Sequence, residues 1–142
     1  MCGKDDEICI VMDLVKGQPF LSRSVEEQKL IIQMDRPQPP LTDAVQIISG
    51  RFRYFQPKYY EEQPWFCGCP LERKVFCWWC LLFSTNRVGP FVSHGFNNFH
   101  NYTLMTRRHK KLPSHIQAAI AFANYGDEQR YDYKQVESDQ EM

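Results

Sequence analysis

The chain has 142 residues, with 17 Lys and Arg against 17 Asp and Glu, and 43% of its residues are hydrophobic. This length gives room for one domain with tails, and no run approaches the roughly 18 apolar residues that a membrane helix needs. The charges are uneven, because residues 70–115 carry seven Lys or Arg against Glu72 alone, whereas residues 120–142 carry six acids against Arg130 and Lys134. A basic centre beside an acidic end predicts an electrostatic surface on the folded part and a solvated tail.

Residues 1–23 show no sustained hydrophobic period and are predicted to be a flexible leader. They lack the basic start and the long apolar run of a secretory signal peptide, which favours an intracellular location. In a reducing compartment, closely spaced cysteines are more often metal ligands than disulfides.

Residues 24–60 are predicted to be a helix and a linker that lead into the main domain. Ser24 followed by Glu27 is a capping box, which predicts a short helix over Val25–Met34 that the prolines from residue 37 onwards end. The apolar side chains expected on one side of this helix are Leu30, Ile31 and Met34. Residues 51–55 alternate like an exposed strand.

Residues 61–124 are predicted to form a small α+β zinc finger, in which a short β-hairpin carries a Cys-x2-Cys knuckle beside two or three short helices. Val75 and Phe76 before the knuckle and residues 81–83 after it are expected to be the two strands of that hairpin. The ends of the chain, including an acidic tail over residues 125–142, are predicted to be disordered.

Two helices are predicted after the hairpin. The first extends from about residue 97 to residue 108, and Pro113 ends this helical region. Ser114 is expected to be the N-cap of the second helix, which covers residues 115–124 and is rich in Ala and Ile.

The strongest functional signal is the pair Cys77 and Cys80, which 28 intervening residues separate from His109, with His115 shortly after. Two thiolates and two imidazoles make a plausible tetrahedral set for zinc. Side chains six positions apart on one helix differ in direction by about 240°. Because Pro113 interrupts the helix, a turn is expected to bring both histidine rings to one metal ion.

Two other assignments remain open at this stage. Cys67 and Cys69 form a Cys-x-Cys pair, and with Cys77 and Cys80 they give a geometrically feasible four-cysteine site that leaves the histidines without a role. In the second assignment, Cys77 and Cys80 are buried free thiols and the histidines are surface residues.

The central region argues against an enzyme, and no catalytic residue or small-molecule substrate is expected. A closed shell of four protein ligands leaves no position for a reactive water molecule, and a zinc-bound thiol cannot act as a nucleophile. Glu72 stands alone among the acids of residues 70–115, and no Gly-rich phosphate loop is present.

Four cations surround one of the candidate ligands. Arg107, Arg108, Lys110 and Lys111 flank His109, so a bound metal would give them a fixed base from which to reach phosphates. Nucleic-acid contact is therefore favoured over a merely solvated face, and a DNA-binding protein is expected in the nucleus.

The rival hypothesis is a zinc-stabilised protein-interaction module. Adjacent residues in a tight knuckle cannot both point inward, so either Trp78 or Trp79 is expected to be exposed and available as an anchor for a partner. The helix predicted over Val25–Met34 is the other candidate docking element.

Six short motifs follow one another in the chain: Asp35-Arg36-Pro37-Gln38-Pro39, Arg51-Phe52 with Tyr59 or Tyr60, Pro64-Trp65-Phe66, Phe76-Cys77-x-x-Cys80-Leu81-Leu82-Phe83, Gly95-Phe96-x-Asn98-Phe99, and the His-x5-His spacing from His109 to His115. In this order they resemble the TTF-type zinc finger at the front of many hAT-superfamily transposases and of host proteins derived from them, such as zinc finger MYM-type protein 1-like sequences. The resemblance covers roughly residues 22–124. Asp35 stands where the family usually has Gly, and Leu112 replaces a frequent Ser.

The resemblance implies a zinc-dependent, DNA-binding module. It also implies that a full transposase would continue into an RNase H-like catalytic domain, which this sequence does not contain. The chain is therefore expected to be a fragment of a transposon gene or a short protein descended from one, and a decayed product without a selected function is a further alternative.

Overall fold

The computed structural model describes residues 6–41, 45–48 and 50–125. Two β-hairpins and six α-helices follow one another in these ranges, which confirms the predicted small α+β fold. The elements are α1 (Asp6–Gly17), α2 (Val25–Met34), β1 (Val45–Ile48), β2 (Arg51–Tyr54), α3 (Lys58–Glu62), β3 (Phe66–Cys69), β4 (Lys74–Cys77), α4 (Trp78–Phe83), α5 (Tyr102–Lys111) and α6 (residues 113–125). None of the helices in these ranges is long and apolar enough to cross a membrane.

The β3–β4 hairpin lies at the centre of the molecule and separates two groups of buried residues. Its strands are antiparallel, with Phe66 opposite Cys77 and Cys67 opposite Phe76. Because side chains alternate along a strand and paired residues share a face, the hairpin has two different faces. The ligand face carries Phe66, Gly68, Val75 and Cys77, and the helix face carries Cys67, Cys69, Lys74 and Phe76.

The Cys-x2-Cys knuckle is a strand-to-helix junction. The sequence predicted residues 81–83 as the second strand of the hairpin, and this prediction is wrong, since those residues belong to α4 and the partner of β4 is β3. The sulfur of Cys77 accepts a hydrogen bond from the amide of Cys80 at 3.4 Å and thereby caps α4. A sulfur that binds the amide three residues later closes the first turn of a helix, which an extended strand cannot do.

The segment predicted as a flexible leader is helical where the structure describes it. Helix α1 buries Val11, Met12 and Val15 against the helix face of the hairpin, and Phe20 in the following 3-10 turn is fully buried. The spacing of three and four residues puts the α1 side chains on one side of the helix. The prediction failed because this apolar stripe is short and lies among charged residues. Residues 1–5 lie outside the described ranges.

Helix α2 begins as predicted. The hydroxyl oxygen of Ser24 accepts a hydrogen bond from the Glu27 amide at 3.2 Å, which confirms the capping box. Of the three apolar residues expected on one side, only Ile31 is buried, whereas Leu30 and Met34 are about half exposed. Successive residues on a helix differ by about 100°, so a helix that touches the core along a narrow line buries one of them.

Hydrogen bonds join the proline-containing segment after α2 to β3 and α3. The Arg36 guanidinium donates hydrogen bonds to the backbone carbonyls of Tyr60 and Phe66, each at 2.9 Å. The Gly68 amide donates to the carbonyl of Pro37 at 3.0 Å, and the Tyr60 hydroxyl lies against the place where a Cβ at Gly68 would stand. A glycine is therefore required at position 68 by close approach and not by its backbone angles.

The β1–β2 hairpin covers the residues that alternate in the sequence. The sequence predicted an exposed strand over residues 51–55, and strand β2 covers Arg51–Tyr54, whereas Phe55 lies outside it and is buried. Gly50, with φ of 76°, stands at the turn before β2. The hairpin packs against the 3-10 turn Phe99–Asn101, which continues directly into α5.

Helices α5 and α6 meet at a sharp corner. Helix α5 ends at Lys111, and Leu112 connects it to α6, whose first residue is Pro113. The sequence predicted Ser114 as the N-cap of the second helix, but the Leu112 carbonyl already accepts the Ile116 amide at 3.0 Å, so Ser114 lies inside the first turn. Proline suits the first position of a helix because its missing N–H has no partner there anyway. The predicted tail over residues 125–142 lies outside the described residues from residue 126 onwards.

Candidate metal centre

Four buried side chains from two parts of the chain converge on one point. The sulfur of Cys77 lies 3.4 Å from Nδ1 of His115, and the sulfur of Cys80 lies 3.5 Å from Nε2 of His109 and 3.7 Å from Nδ1 of His115. All four ligand atoms lie within 4.8 Å of one another. These are the four residues that the sequence singled out as a Cys2His2 set.

The distances fit a tetrahedral metal site. Metal bonds of about 2.3 Å to sulfur and about 2.0 Å to nitrogen, at tetrahedral angles, place each sulfur about 3.5 Å from each nitrogen. The three measured sulfur–nitrogen distances lie between 3.4 and 3.7 Å. The cluster is therefore compatible with a bound metal ion at its centre.

The fold fixes each ligand by backbone structure. Cys77 ends β4 and caps α4, and Cys80 lies one turn later on α4. His109 lies near the end of α5 and His115 in the first turn of α6, on either side of the proline corner. The predicted turn between two helices is thus present, and it brings both rings to the same side.

Aromatic rings enclose the site. The Trp65 ring lies 4.9 Å from the His109 ring and 5.1 Å from the His115 ring, and Phe91 lies 4.8 Å from His109. Trp79 covers His115 from another side at 5.6 Å. Rings packed on the imidazoles limit the access of water and hold the ligands in one orientation.

The two tryptophans of the knuckle have different environments, but neither is an exposed anchor. Trp78 is buried on the side of the hairpin that carries α1, and Trp79 is partly buried against His115 and Phe122. The expectation that one of them points into solvent is therefore wrong. Helix α4 allows both to pack because adjacent helical residues point about 100° apart, toward two different groups of buried residues.

The thiols of the cluster differ in acidity. The hydrogen bond with Cys77, followed by those with His109 and His115, lowers the pKa of the Cys80 thiol, whereas burial raises the pKa of Cys77. A cluster in which a buried thiol already favours its anionic form presents negative charge to a cation.

Cys67 and Cys69 do not join the cluster. Both lie on the helix face of the hairpin, opposite to the face that carries Cys77, and both pack with Phe76. The Cys67 thiol donates to the Phe76 carbonyl at 3.6 Å, and burial raises the pKa of that thiol. The four-cysteine alternative required all sulfurs on one face, and the register of the hairpin prevents it.

The four predicted DNA-contacting cations surround the centre on its outer side. Arg107, Arg108, Lys110 and Lys111 are exposed, while His109 between them is buried. With about 100° per residue, these four side chains span an arc of about 160° that points away from the His109 side of α5. The ion pairs of the described residues join other groups, Lys16 with Glu72 and Arg23 with Glu27, so none of the four cations is neutralised there.

The sequence analysis did not assign Trp65 and Phe91 to the site. The Trp78 amide donates to the Trp65 carbonyl at 2.6 Å, and the Cys77 amide donates to the Phe91 carbonyl at 2.8 Å. These bonds hold the knuckle by its backbone. The only signal in the sequence was the aromatic character of both positions, which does not predict backbone contacts.

Comparisons with protein-family models, with curated proteins and with solved structures found no match to this chain.

Proposed function

We propose that this chain is a zinc-dependent DNA-binding module whose metal centre holds a basic surface in place. The observation that carries the proposal is the position of buried His109 between two pairs of exposed cations, Arg107 with Arg108 and Lys110 with Lys111. These four cations are called the basic surface below. The TTF-type resemblance supports the same function and a nuclear location.

Zinc is the metal that suits the four ligands best. Two thiolates and two imidazoles in a tetrahedron are typical of structural zinc sites, and they fill the coordination shell. The enclosing aromatic rings leave no role for a metal-bound water. The metal then stabilises the packing of α4 against the α5–α6 corner and does not take part in chemistry.

The basic surface suits the phosphate backbone of DNA. Its side chains extend from the last five residues of α5, which the metal would fix through His109, so they reach outward from a rigid base. Contacts to four phosphates would make the logarithm of the binding constant fall with the logarithm of salt concentration, with a slope of up to about −3.6. Such contacts position a protein on DNA without reading its sequence.

The proposal is tested by comparing two variants that lose the same charge. The first replaces the four residues of the basic surface by Gln, and the control replaces four exposed cations elsewhere, Lys16, Lys29, Arg73 and Arg87. Binding of a labelled DNA duplex is measured by fluorescence anisotropy at several salt concentrations, and zinc content is measured in parallel. We expect the first variant to lose duplex binding and most of the salt slope, with its zinc retained, and the control to keep most of both.

Equal binding by the two zinc-loaded variants would contradict the proposal, because binding would then not depend on the basic surface. Loss of zinc in the first variant would show that its charges act on the fold, and single substitutions would then be compared at full zinc content, where each is expected to lower the salt slope by about one.

A protein-interaction module remains the second candidate, and one observation favours it. Helix α2 exposes Val25, Leu30 and Met34, each about half accessible to solvent. A partner that covers this helix would bind independently of the basic surface, so replacing Leu30 and Met34 by Ser would abolish it without changing duplex binding.

A further inference from the structure

Two aromatic side chains on β2 are exposed side by side. Phe52 is 56% exposed and Tyr54 is 51% exposed, although most aromatic side chains of the described residues are buried or partly buried. Their rings stack at a centroid distance of 6.0 Å with 21° between the planes. Residues two apart on a strand share a face, so the two nearly parallel rings stand together on one side of β2 and are called the aromatic platform below.

The next aromatic residue in the chain, Phe55, is not exposed in this way. Phe55 is buried and makes edge contacts with Tyr59 and Phe99. Phe55 therefore anchors the hairpin to the core, and the platform is not needed for that purpose. Flat rings held in parallel and open to solvent present their π-faces to a planar partner.

The segment that carries the platform is rich in cations. Residues 50–60 contain Arg51, Arg53 and Lys58 and no acidic residue, and Glu61 and Glu62 follow them in the chain. Arg51 and Lys58 are exposed, and the ion pairs within the described parts of the chain do not involve them. Because side chains alternate along a strand, Arg51 and Arg53 lie on the face of β2 opposite to the rings. Exposed rings on a cation-rich segment suit a ligand that combines planar rings with negative charge. A purely apolar protein surface would not be attracted by the charges of this segment.

The platform and the basic surface are connected through α5. The β1–β2 hairpin packs on the 3-10 turn Phe99–Asn101 that precedes α5, and the basic surface lies on the last five residues of α5. Ten helical residues span about 15 Å. One oligonucleotide is long enough to contact both ends of α5.

We propose that the aromatic platform stacks on unpaired bases, so that the chain binds single-stranded nucleic acid through Phe52 and Tyr54 in addition to duplex phosphates. The inference rests on the proposed function, since it names the state of the nucleic acid that the same module recognises. Every base has a π-face, so this contact is tolerant of sequence. Bases inside a duplex are stacked on each other and are not accessible to the platform.

The experiment measures anisotropy of an end-labelled single strand of mixed sequence and of the duplex that it forms with its complement. The protein is the full chain loaded with zinc. The test variant is Phe52→Ala/Tyr54→Ala, and the matched control is Leu71→Ala/Val88→Ala, which removes two exposed apolar side chains elsewhere. A conservative variant, Phe52→Tyr/Tyr54→Phe, keeps both rings.

We expect the test variant to bind the single strand about tenfold or more weakly, since stacking on one base already contributes a factor of this size. Duplex binding is expected to change by less than about twofold, because it depends on the phosphates. The control and the conservative variants are expected to bind like the wild type. Zinc content and the thermal unfolding midpoint are recorded for each variant. Both are expected to stay unchanged, because removal of exposed rings leaves the core intact.

Unchanged single-strand binding in the zinc-loaded test variant would overturn the inference, and if the basic-surface variant has lost duplex binding, the proposed function still stands. Equal losses on single strand and duplex would also overturn it, since the rings would then act on the whole binding surface. A wild-type chain that binds neither nucleic acid would overturn both proposals and would favour a protein partner.

Discussion

The two faces of the β3–β4 hairpin use the same residue type for different purposes. On the ligand face, Cys77 meets Cys80 and two histidines, and the four side chains form a compact polar cluster inside a shell of aromatic rings. On the helix face, Cys67 and Cys69 lie under α1 among apolar side chains, and burial raises the pKa of the Cys67 thiol. The strand register puts Cys77 on the opposite face from Cys67 and Cys69, and helix α4 brings Cys80 to the side of Cys77.

The difference between the two faces shows that the side chains around a cysteine decide whether it can be a metal ligand. A buried thiol without a metal or a charged partner behaves as a small apolar side chain. The ligand face has the imidazoles of the α5–α6 corner, whereas the helix face has Val11, Met12 and Val15 of α1. We therefore expect stability on the first face to depend on a metal, and stability on the second to depend on burial of apolar area.

Removal of the metal is expected to have the largest effect, because it acts on the ligand face. Binding at a structural zinc site contributes on the order of 10 kcal/mol to small zinc domains. We expect a chelator to lower the unfolding midpoint steeply and to expose the α5–α6 corner, as measured by circular dichroism and hydrogen exchange. An unfolding midpoint that does not respond to the chelator would show that the apolar core alone maintains the fold.

Phe76→Ala is the corresponding change on the helix face. The side chain is fully buried against α1, and truncation of a buried Phe typically costs about 3–5 kcal/mol. We expect a lower free energy of unfolding in urea at unchanged zinc stoichiometry. If the variant loses zinc while it remains folded, the two faces are coupled, which would contradict the claim that they stabilise the protein independently.

Cys67→Ser tests the apolar character of the helix face with a smaller change. Burying a hydroxyl in place of a thiol among apolar neighbours costs about 1–3 kcal/mol. The variant is expected to be less stable than Cys67→Ala and to bind zinc normally. A Ser variant as stable as the Ala variant would mean that the hydroxyl donates to the Phe76 carbonyl, as the thiol does at 3.6 Å, or that water reaches this face.

Ser24→Ala lies away from both faces and is expected to have the smallest effect. Loss of an N-cap hydrogen bond costs about 1 kcal/mol. The thermal midpoint should fall slightly, with the same zinc content and the same chelator response as the wild type. A loss much larger than this would show that α2 is coupled to the metal centre.

Local features of the sequence predicted the site well. The capping box of Ser24 and Glu27 and the corner between His109 and His115 depend on residues a few positions apart, so the sequence alone was sufficient to predict them. The Cys77 and Cys80 pair is likewise local, since one helical turn brings both sulfurs to one side.

The remaining features depend on contacts between residues far apart in the sequence, which the sequence alone did not predict. Apolar residues flank the knuckle on both sides, so the sequence could not show that β4 pairs with the earlier β3 and not with residues 81–83. The faces of Cys67 and Cys69 follow from that register, which left the four-cysteine set open. Helix α1 was missed because its short stripe is stabilised by the helix face, a surface that only the folded chain provides.

Metal content tests the central claim most directly. Zinc is measured by elemental mass spectrometry in the wild type, in His109→Ala/His115→Ala and in Cys67→Ala/Cys69→Ala, each purified without added zinc. We predict one zinc per chain in the wild type and in the Cys67/Cys69 variant, and none in the histidine variant, because the ligands converge only on the ligand face. Zinc retained without the histidines, or lost together with Cys67 and Cys69, would contradict this assignment.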